Sequence, residues 1–424
     1  MATETKNKVI YNPFAAYKAK RYHFSPTEES PFQNPENMVE AAWLTADQTG
    51  RLQRFMQRAR AGENVTVLSL GGSITEGSGA SPGEYYIDNL SRWFEKHFPQ
   101  KNVSCINVGR GTTTSLFGSA RIERDLLPLS PDLVIVEYAV NDIILDDYVA
   151  QRAFEGVLRK ILSLPTSPAV LVLFCCCGNF ASAEEYELPL VRHYGLPASS
   201  FLSAMGFEME RTMGKEVARN LDDEAAEEWA VKHYIFDGCH PNTPGYYLLT
   251  DMITTHLLMA EKNPVEEGWK LPDPLVSDVF VSNHILDNRH LTVTENTGWE
   301  PSDRMTPYEE HAFVCRTPGA SIRFSLPPCR IVTLVTRRSI KATAGVAKVE
   351  IDGNCFDLDA FFAGGWGTHN NYRVIVDEET PKERTLKLTF TGQKSPETLA
   401  YAEKQGISEE EAAGKFILSE LHLA

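Results

Sequence analysis

The middle of the chain alternates continuously apolar runs with segments whose apolar residues recur at helical spacing. The helical segments are 86–97 and 154–162, and the apolar runs are 65–70, 103–108, 132–138 and 169–175. Nearly continuous apolar strands are expected where a parallel sheet is covered on both faces, and helices at these positions supply the cover. Residues from about 62 to 260 are therefore predicted to form a three-layer α/β/α domain with a parallel sheet.

After about residue 275 the hydrophobic period shortens to two, as in half-buried strands. The alternating segments are 291–295, 320–325, 348–352, 372–377 and 385–391. Asp352-Gly353 offers a hairpin turn, and clusters of Gly, Pro and Asn separate the segments. This pattern predicts a C-terminal all-β, jelly-roll-like sandwich.

The length of 424 residues favours more than one domain, because a single core usually stops growing by about 250 to 300 residues. The Pro-containing segment 261–273 is the natural linker. We predict an N-terminal arm over residues 1–40, an α/β domain over 41–262 and a β-sandwich domain over 274–424.

Charge and cysteine content narrow the partners and the compartment. The formal charge is -16, which disfavours nucleic acid and anionic membranes because both bind clustered Lys and Arg. The sequence shows neither an apolar leader nor a run of 18 apolar residues, so we expect a cytoplasmic protein without a membrane partner. Eight cysteines without zinc-type spacing fit reduced thiols, and no metal is expected.

The first candidate for chemistry is Ser73, in Gly71-Gly72-Ser73-Ile74-Thr75 at the end of a predicted strand. Parallel strands carry sites at their carboxyl ends, and flanking glycines let a serine hydroxyl stand clear of the backbone. The segment alone is also compatible with a tight turn or a phosphate loop. It lacks the Gly-x-Ser-x-Gly elbow of α/β-hydrolases, since position 75 is Thr.

Three further segments supply complementary groups. Asp237 precedes His240 by three residues, so its carboxylate can reach Nδ1 and leave Nε2 free as a base. Asn141 follows the strand 132–138 and can donate to a developing oxyanion, as can the backbone N–H of Gly109. Taken singly, these residues also fit a turn-stabilising Asp, a surface His, an Asn-Asp turn and a loop glycine.

In their chain order of Ser, Gly, Asn and His, the segments resemble the four blocks of the SGNH/GDSL hydrolases over residues 64–258. The first block, residues 71–75, resembles that of the Gly-Gly-Ser-Ile-Thr subgroup. The resemblance implies a flavodoxin-like fold, Ser73 as nucleophile, and an oxyanion hole of Ser73, Gly109 and Asn141. It also implies His240 as the base, oriented by Asp237, and no cofactor.

Two positions depart from the usual blocks. Gly72 stands where the family usually has Asp, as in that subgroup. Ala139 stands where the third block usually has Gly, and we expect it to narrow the pocket near Asn141.

Family members with an added β-sandwich resemble carbohydrate esterases, which favours a serine esterase that hydrolyses a small acyl ester, such as acetyl, on a sugar or oligosaccharide. The alternatives are a lipid esterase, an acyltransferase, or a carbohydrate-binding protein with a degenerate hydrolase domain. Candidate substrate contacts are Arg110 and Trp366, the latter in a loop whose aromatics and amides suit sugar rings. Arg110 could instead pair with local carboxylates, and the Trp366 loop could form a domain or subunit contact. The sequence leaves homo-oligomer formation open.

Overall fold

Two compact units make up the part of the chain that the computed structural model describes, residues 24–262, 268–303, 311–362, 367–408 and 414–424. The division falls between Val281 and Ser282. This is later than the bounds of 262 and 274 expected from the sequence. The reason is that the N–H groups of residues 275–277 donate to the buried Glu155 carboxylate. We call the described residues of 24–281 the α/β unit and those of 282–424 the β unit.

The α/β unit contains a six-stranded sheet. Its strands are β1 (Trp43–Thr45), β2 (Val65–Gly71), β3 (Val103–Asn107), β4 (Leu133–Glu137), β5 (Ala169–Phe174) and β6 (Ala198–Ser200). Their order is β1-β6-β5-β4-β2-β3, with β1 antiparallel to β6 and the other neighbours parallel. The order of β2 to β6 is that of flavodoxin-like folds, in which the strand order reverses between β2 and β4.

Helices pack on both faces of this sheet. They are α1 (Met38–Ala42), α2 (Arg51–Arg60), α3 (Ser73–Glu76), α4 (Tyr86–His97), α5 (Ser115–Ala120), α6 (Ala139–Asp142), α7 (Asp147–Leu162), α8 (Glu184–His193), α9 (Phe201–Met213), α10 (Lys215–Arg219), α11 (Asp223–His233) and α12 (Thr243–Ala260). Short π-helical and 3₁₀ turns lie at Ile122–Leu126, Leu127–Leu129 and Val279–Ser282. Helices α2, α4, α9 and α12 share one apolar core, and α7 and α8 share the core on the opposite face. The predicted three-layer α/β/α fold is confirmed.

The β unit is an antiparallel assembly with its own core. Its elements are β7 (His284–Leu286), β8 (Thr292–Asn296), β9 (Trp299–Ser302), β10 (Ala312–Cys315), β11 (Ser321–Ser339), β12 (Val346–Ile351), β13 (Asn354–Asp359), β14 (Thr368–Phe390), α13 (Pro396–Gln405) and β15 (Phe416–Leu423). The strand order is β13-β12-β14-β11-β15-β10-β9, with β7 on β15 and β8 on β11. The predicted turn at Asp352-Gly353 joins β12 to β13, and both residues have positive φ, as a two-residue hairpin turn requires. The predicted all-β C-terminal domain is confirmed.

Within the described residues, none of the helices combines the length and the apolar character needed to cross a membrane.

Candidate active site

Strands β2 and β4 end side by side where the predicted nucleophile and side-chain amide lie. Gly71 and Glu137 form the last pair between these parallel strands. The chain continues from β2 into α3, which begins at Ser73, and from β4 into α6, which contains Asn141. This is the point where the strand order reverses, and α/β folds bind ligands there.

Ser73, His240 and Asp237 form a continuous hydrogen-bonded relay. His240 Nε2 lies 2.8 Å from Ser73 Oγ, and His240 Nδ1 lies 2.8 Å from Asp237 Oδ2. An imidazole protonated at Nδ1 donates to Asp237 and accepts from the Ser73 hydroxyl at Nε2. The structure therefore brings together the three residues that the sequence predicted as a triad, in an arrangement suited to proton transfer from the serine.

The loop that carries Asp237 and His240 is fixed by its own hydrogen bonds. The Phe236 N–H donates to the His240 carbonyl at 2.7 Å, just before helix α12 begins. Asp237 Oδ1 accepts the N–H groups of His240 and Cys239 at 3.1 and 3.3 Å. Burial acts to raise the pKa of Asp237, but the hydrogen bonds from His240 and Cys239 outweigh it and hold the pKa below its ordinary value. Asp237 is therefore ionised at neutral pH, as an orienting carboxylate must be.

Gly72 leaves room for the Asn141 amide. A Cβ atom at position 72 would lie 2.7 Å from Asn141 Oδ1 and 3.3 Å from Asn141 Nδ2. The φ of Gly72 is -86°, which other residues also adopt, so the contact rather than the backbone angle requires glycine. Ala139 is completely buried. The narrower pocket beside Asn141 that we expect from Ala139 stays a prediction.

Gly109 is packed against α3, and its amide already has an acceptor. A Cβ atom at this position would lie 2.4 Å from the Glu76 backbone nitrogen, so only glycine fits. The Gly109 N–H donates to Asn107 Oδ1 at 2.8 Å, and Asn107 Nδ2 donates to the Thr75 carbonyl at 2.7 Å. The oxyanion role of Gly109 stays a prediction, and it requires this N–H to be shared with, or released from, Asn107.

Three fully buried acids behind the site were not identified from the sequence. Glu137 ends β4 and accepts from Thr75 Oγ1 at 3.3 Å; burial raises its pKa to about 8. Asp142 accepts the Ser115 N–H at 2.8 Å, and burial raises its pKa to about 6. Burial and the neighbouring Asp142 raise the pKa of Glu187 well above its ordinary value. The only sign of these acids in the sequence was Glu137, an acidic residue inside the apolar run 132–138.

The remaining candidates have different outcomes. Arg110 is exposed, and its backbone N–H donates to the Gly71 carbonyl at 3.0 Å. Trp366 lies outside the described residues. Cys239 is a half-buried thiol beside the relay, and burial raises its pKa to about 12. Asp237, Cys239 and His240 each place one potential metal-ligand atom within 4.8 Å of the other two.

Comparisons with known proteins agree with this fold. The model of the GDSL-like lipase/acylhydrolase family matches residues 69–248. The crystal structure of CEX, a two-domain esterase active on acetylated mannans, aligns with a TM-score of 0.76 and 28% identity over 91% of this chain and 97% of that chain. The structure of CEX co-crystallised with mannopentaose aligns with a TM-score of 0.75 at the same identity and coverage. No curated protein matches the sequence.

The fold, the family match and the alignment to an esterase over both units define a carboxylic ester hydrolase. The GDSL-like lipase/acylhydrolase model matches residues 69–248 of its α/β unit, the region in which the four sequence blocks resemble this family, so the predicted resemblance is confirmed.

Proposed function

We propose that this protein is a carbohydrate esterase that removes acetyl groups from sugar hydroxyls through an acetyl-Ser73 intermediate, with acetylated mannan as the favoured class of substrate. The observation that carries the mechanism is the 2.8 Å contact between His240 Nε2 and Ser73 Oγ. The substrate class rests on the similarity to CEX, which is active on acetylated mannans and aligns with 91% of this chain.

The first half-reaction transfers the acetyl group to the enzyme. Ser73 Oγ attacks the acetyl carbonyl carbon while His240 Nε2 takes the hydroxyl proton. The imidazolium then gives this proton to the departing sugar oxygen, the ester C–O bond breaks, and the acetyl group remains on Ser73. Asp237 holds the imidazole in the correct tautomer and stabilises its charged form.

The second half-reaction returns the free enzyme. A water molecule gives a proton to His240 and attacks the acetyl carbonyl carbon, and Ser73 leaves with the proton that His240 returns. Acetate is the second product. No cofactor takes part in this proposal.

The oxyanion of each tetrahedral intermediate is held by the Ser73 N–H and the Asn141 side-chain amide. Ser73 is the first residue of α3, where a backbone N–H has no acceptor within the helix. The Asn141 amide is held against Gly72, next to the nucleophile. One such donor is worth about 3 kcal/mol in transition-state stabilisation. Gly109 contributes only when its N–H is shared with Asn107.

A substrate comparison tests this function. We expect acetate release from acetylated manno-oligosaccharides, with p-nitrophenyl acetate cleaved faster than longer p-nitrophenyl esters, and neither activity in Ser73→Ala. A preference for long acyl chains would instead indicate a lipid esterase. Transfer of acetyl to a second sugar in place of acetate release would indicate an acyltransferase. Oligosaccharide binding without hydrolysis of any ester would indicate a carbohydrate-binding protein.

A further inference from the structure

Cys239 places a third donor atom beside the Asp237–His240 pair. Its Sγ lies 3.4 Å from His240 Nδ1 and 3.8 Å from Asp237 Oδ1. His240 Nδ1 lies 2.9 Å from the same carboxylate oxygen, Oδ1, and 2.8 Å from Oδ2. The proposed esterase mechanism gives this thiol no role, although it lies next to both residues of the pair.

These separations suit a single tetrahedral ion of the zinc type. With Zn–S about 2.3 Å and Zn–N or Zn–O about 2.0 to 2.2 Å, tetrahedral ligand atoms lie about 3.3 to 3.6 Å apart. The sulfur is already close to this separation from Nδ1 and from Asp237 Oδ1. Sγ also lies 3.8 Å from His240 Nε2, over the face of the ring, so ion binding requires the imidazole to turn and the distance between Nδ1 and the carboxylate to widen. Thiolate, imidazole and carboxylate are also the ligands that zinc prefers.

The loop is shaped and open enough to receive an ion. Asp237 Oδ1 accepts two backbone N–H groups, and Oδ2 faces His240 Nδ1 alone within the loop. Gly238 has a φ of 91°, which side-chain-bearing residues rarely adopt, and this turn brings Cys239 back beside Asp237. The Asp237 side chain is 44% exposed. An ion can therefore enter from solvent and keep water as its fourth ligand.

We propose that Asp237, Cys239 and His240 form an inhibitory binding site for Zn²⁺ and similar divalent cations. The inhibition rests on the proposed function, in which His240 is the base. Coordination through Nδ1 and Sγ releases the thiol proton and moves the imidazole proton from Nδ1 to Nε2. Nε2 then has no lone pair to accept the Ser73 proton, and the metal-bound enzyme is inactive. Removal of the ion by a chelator restores activity.

The first test measures p-nitrophenyl acetate hydrolysis against Zn²⁺ concentration in a non-chelating buffer. Cys355→Ser is the matched control, because Cys355 is an exposed thiol of the β unit. Wild type and Cys355→Ser should lose activity together. Cys239→Ser should require at least about tenfold more Zn²⁺, because the thiolate ligand is gone. Cys239→Ala is a second variant in case the serine disturbs the loop. If Zn²⁺ inhibits these Cys239 variants at the same concentration as wild type, the proposal is overturned.

The second test separates the metal site from catalysis. Ser73→Ala is titrated with Co²⁺, and thiolate-to-cobalt charge-transfer absorption is followed. We expect this band to saturate at one equivalent and to be missing from Ser73→Ala/Cys239→Ser. A titration without a Cys239-dependent band overturns the metal site. If the Cys239-dependent band appears but Zn²⁺ does not inhibit the enzyme, the metal site is supported and the role of His240 as the base is refuted. Failure of the metal site and failure of the proposed function are therefore distinguishable.

Discussion

The substitution Gly72→Ala tests whether the position of the Asn141 amide limits catalysis. The added Cβ would lie 2.7 Å from Asn141 Oδ1, whereas carbon and oxygen atoms in ordinary contact are about 3.4 Å apart. The amide must therefore move by about 0.7 Å. It is the end of a short side chain, so the movement itself should cost less than about 1 kcal/mol of unfolding free energy.

The effect on the rate should be much larger than the effect on stability. A misplacement of about 1 Å at a reacting centre costs on the order of a hundredfold, and complete loss of one oxyanion donor costs about a hundredfold or more in kcat. We expect Gly72→Ala to lower kcat for p-nitrophenyl acetate about tenfold to a hundredfold. KM should change little, because the hydrogen bond from the Asn141 amide to the substrate carbonyl oxygen is stronger in the transition state than in the bound substrate.

A double-mutant cycle identifies the cause of the loss. Asn141→Ala alone should lower kcat about a hundredfold, and adding Gly72→Ala to it should lower kcat by less than about threefold, because the displaced group is already gone. Gly367→Ala is the control, since an added Cβ there meets no atom of the described residues within 4 Å. Full activity of Gly72→Ala, or independent effects of the two substitutions, would refute the steric argument.

Three further outcomes are expected. Ser73→Ala should abolish esterase activity, and a serine-directed phosphonate should label wild type once, at Ser73; labelling at another serine, or loss of activity to EDTA, contradicts the mechanism. Glu137→Gln should gain thermal stability relative to wild type as pH rises from about 4.5 to about 8. In that window folded Glu137 keeps a proton that the unfolded chain releases, at about 1.4 kcal/mol per pKa unit; a pH-independent difference in Tm contradicts the burial argument. Trp366→Ala should raise KM for an acetylated oligosaccharide but leave p-nitrophenyl acetate hydrolysis nearly unchanged, and equal effects on both substrates would indicate a structural role.

The sequence predicted the long buried strands of the α/β unit well. The apolar runs at 65–70, 103–108, 132–138 and 169–175 coincide closely with β2 to β5. It did not predict β1 and β6, because each has only three residues, too few to show a period. Their existence depends on pairing at the sheet edge, which is a tertiary property.

In the β unit, segments that the sequence predicted as separate strands are parts of longer strands in the structure. Segments 372–377 and 385–391 belong to the single strand β14, and 320–325 is only the first part of β11. The pairing of β11 with β14 shifts register around Leu326 to Cys329, where the sequence has Pro327-Pro328. Proline cannot donate to the ladder, so a local pattern suggests a break where the chain makes a bulge and continues.

The candidate site shows the same limit of local patterns. The contact between Asp237 and His240 could be predicted from the sequence, because the two residues are three positions apart across a turn that contains a glycine. The structure has this contact, between Asp237 Oδ2 and His240 Nδ1. The hydrogen bond from the Gly109 N–H to Asn107, by contrast, depends on how the loop docks against α3. A motif can nominate a backbone donor, but it cannot show whether a neighbouring side chain already uses that donor.

The buried acids show where a break in an apolar pattern points to function. Glu137 interrupts an apolar strand run, and burial of a carboxylic acid costs stability that its hydrogen bonds must offset. Its contact with Thr75 ties the end of β4 to α3, which begins at Ser73. Asp142, directly after Asn141, ties α6 to the N–H of Ser115 at the start of α5. Burial of each acid thus lowers stability at a turn that carries a proposed catalytic residue. An acidic residue at the carboxyl end of a buried strand can therefore indicate the support of a site even where no motif includes it.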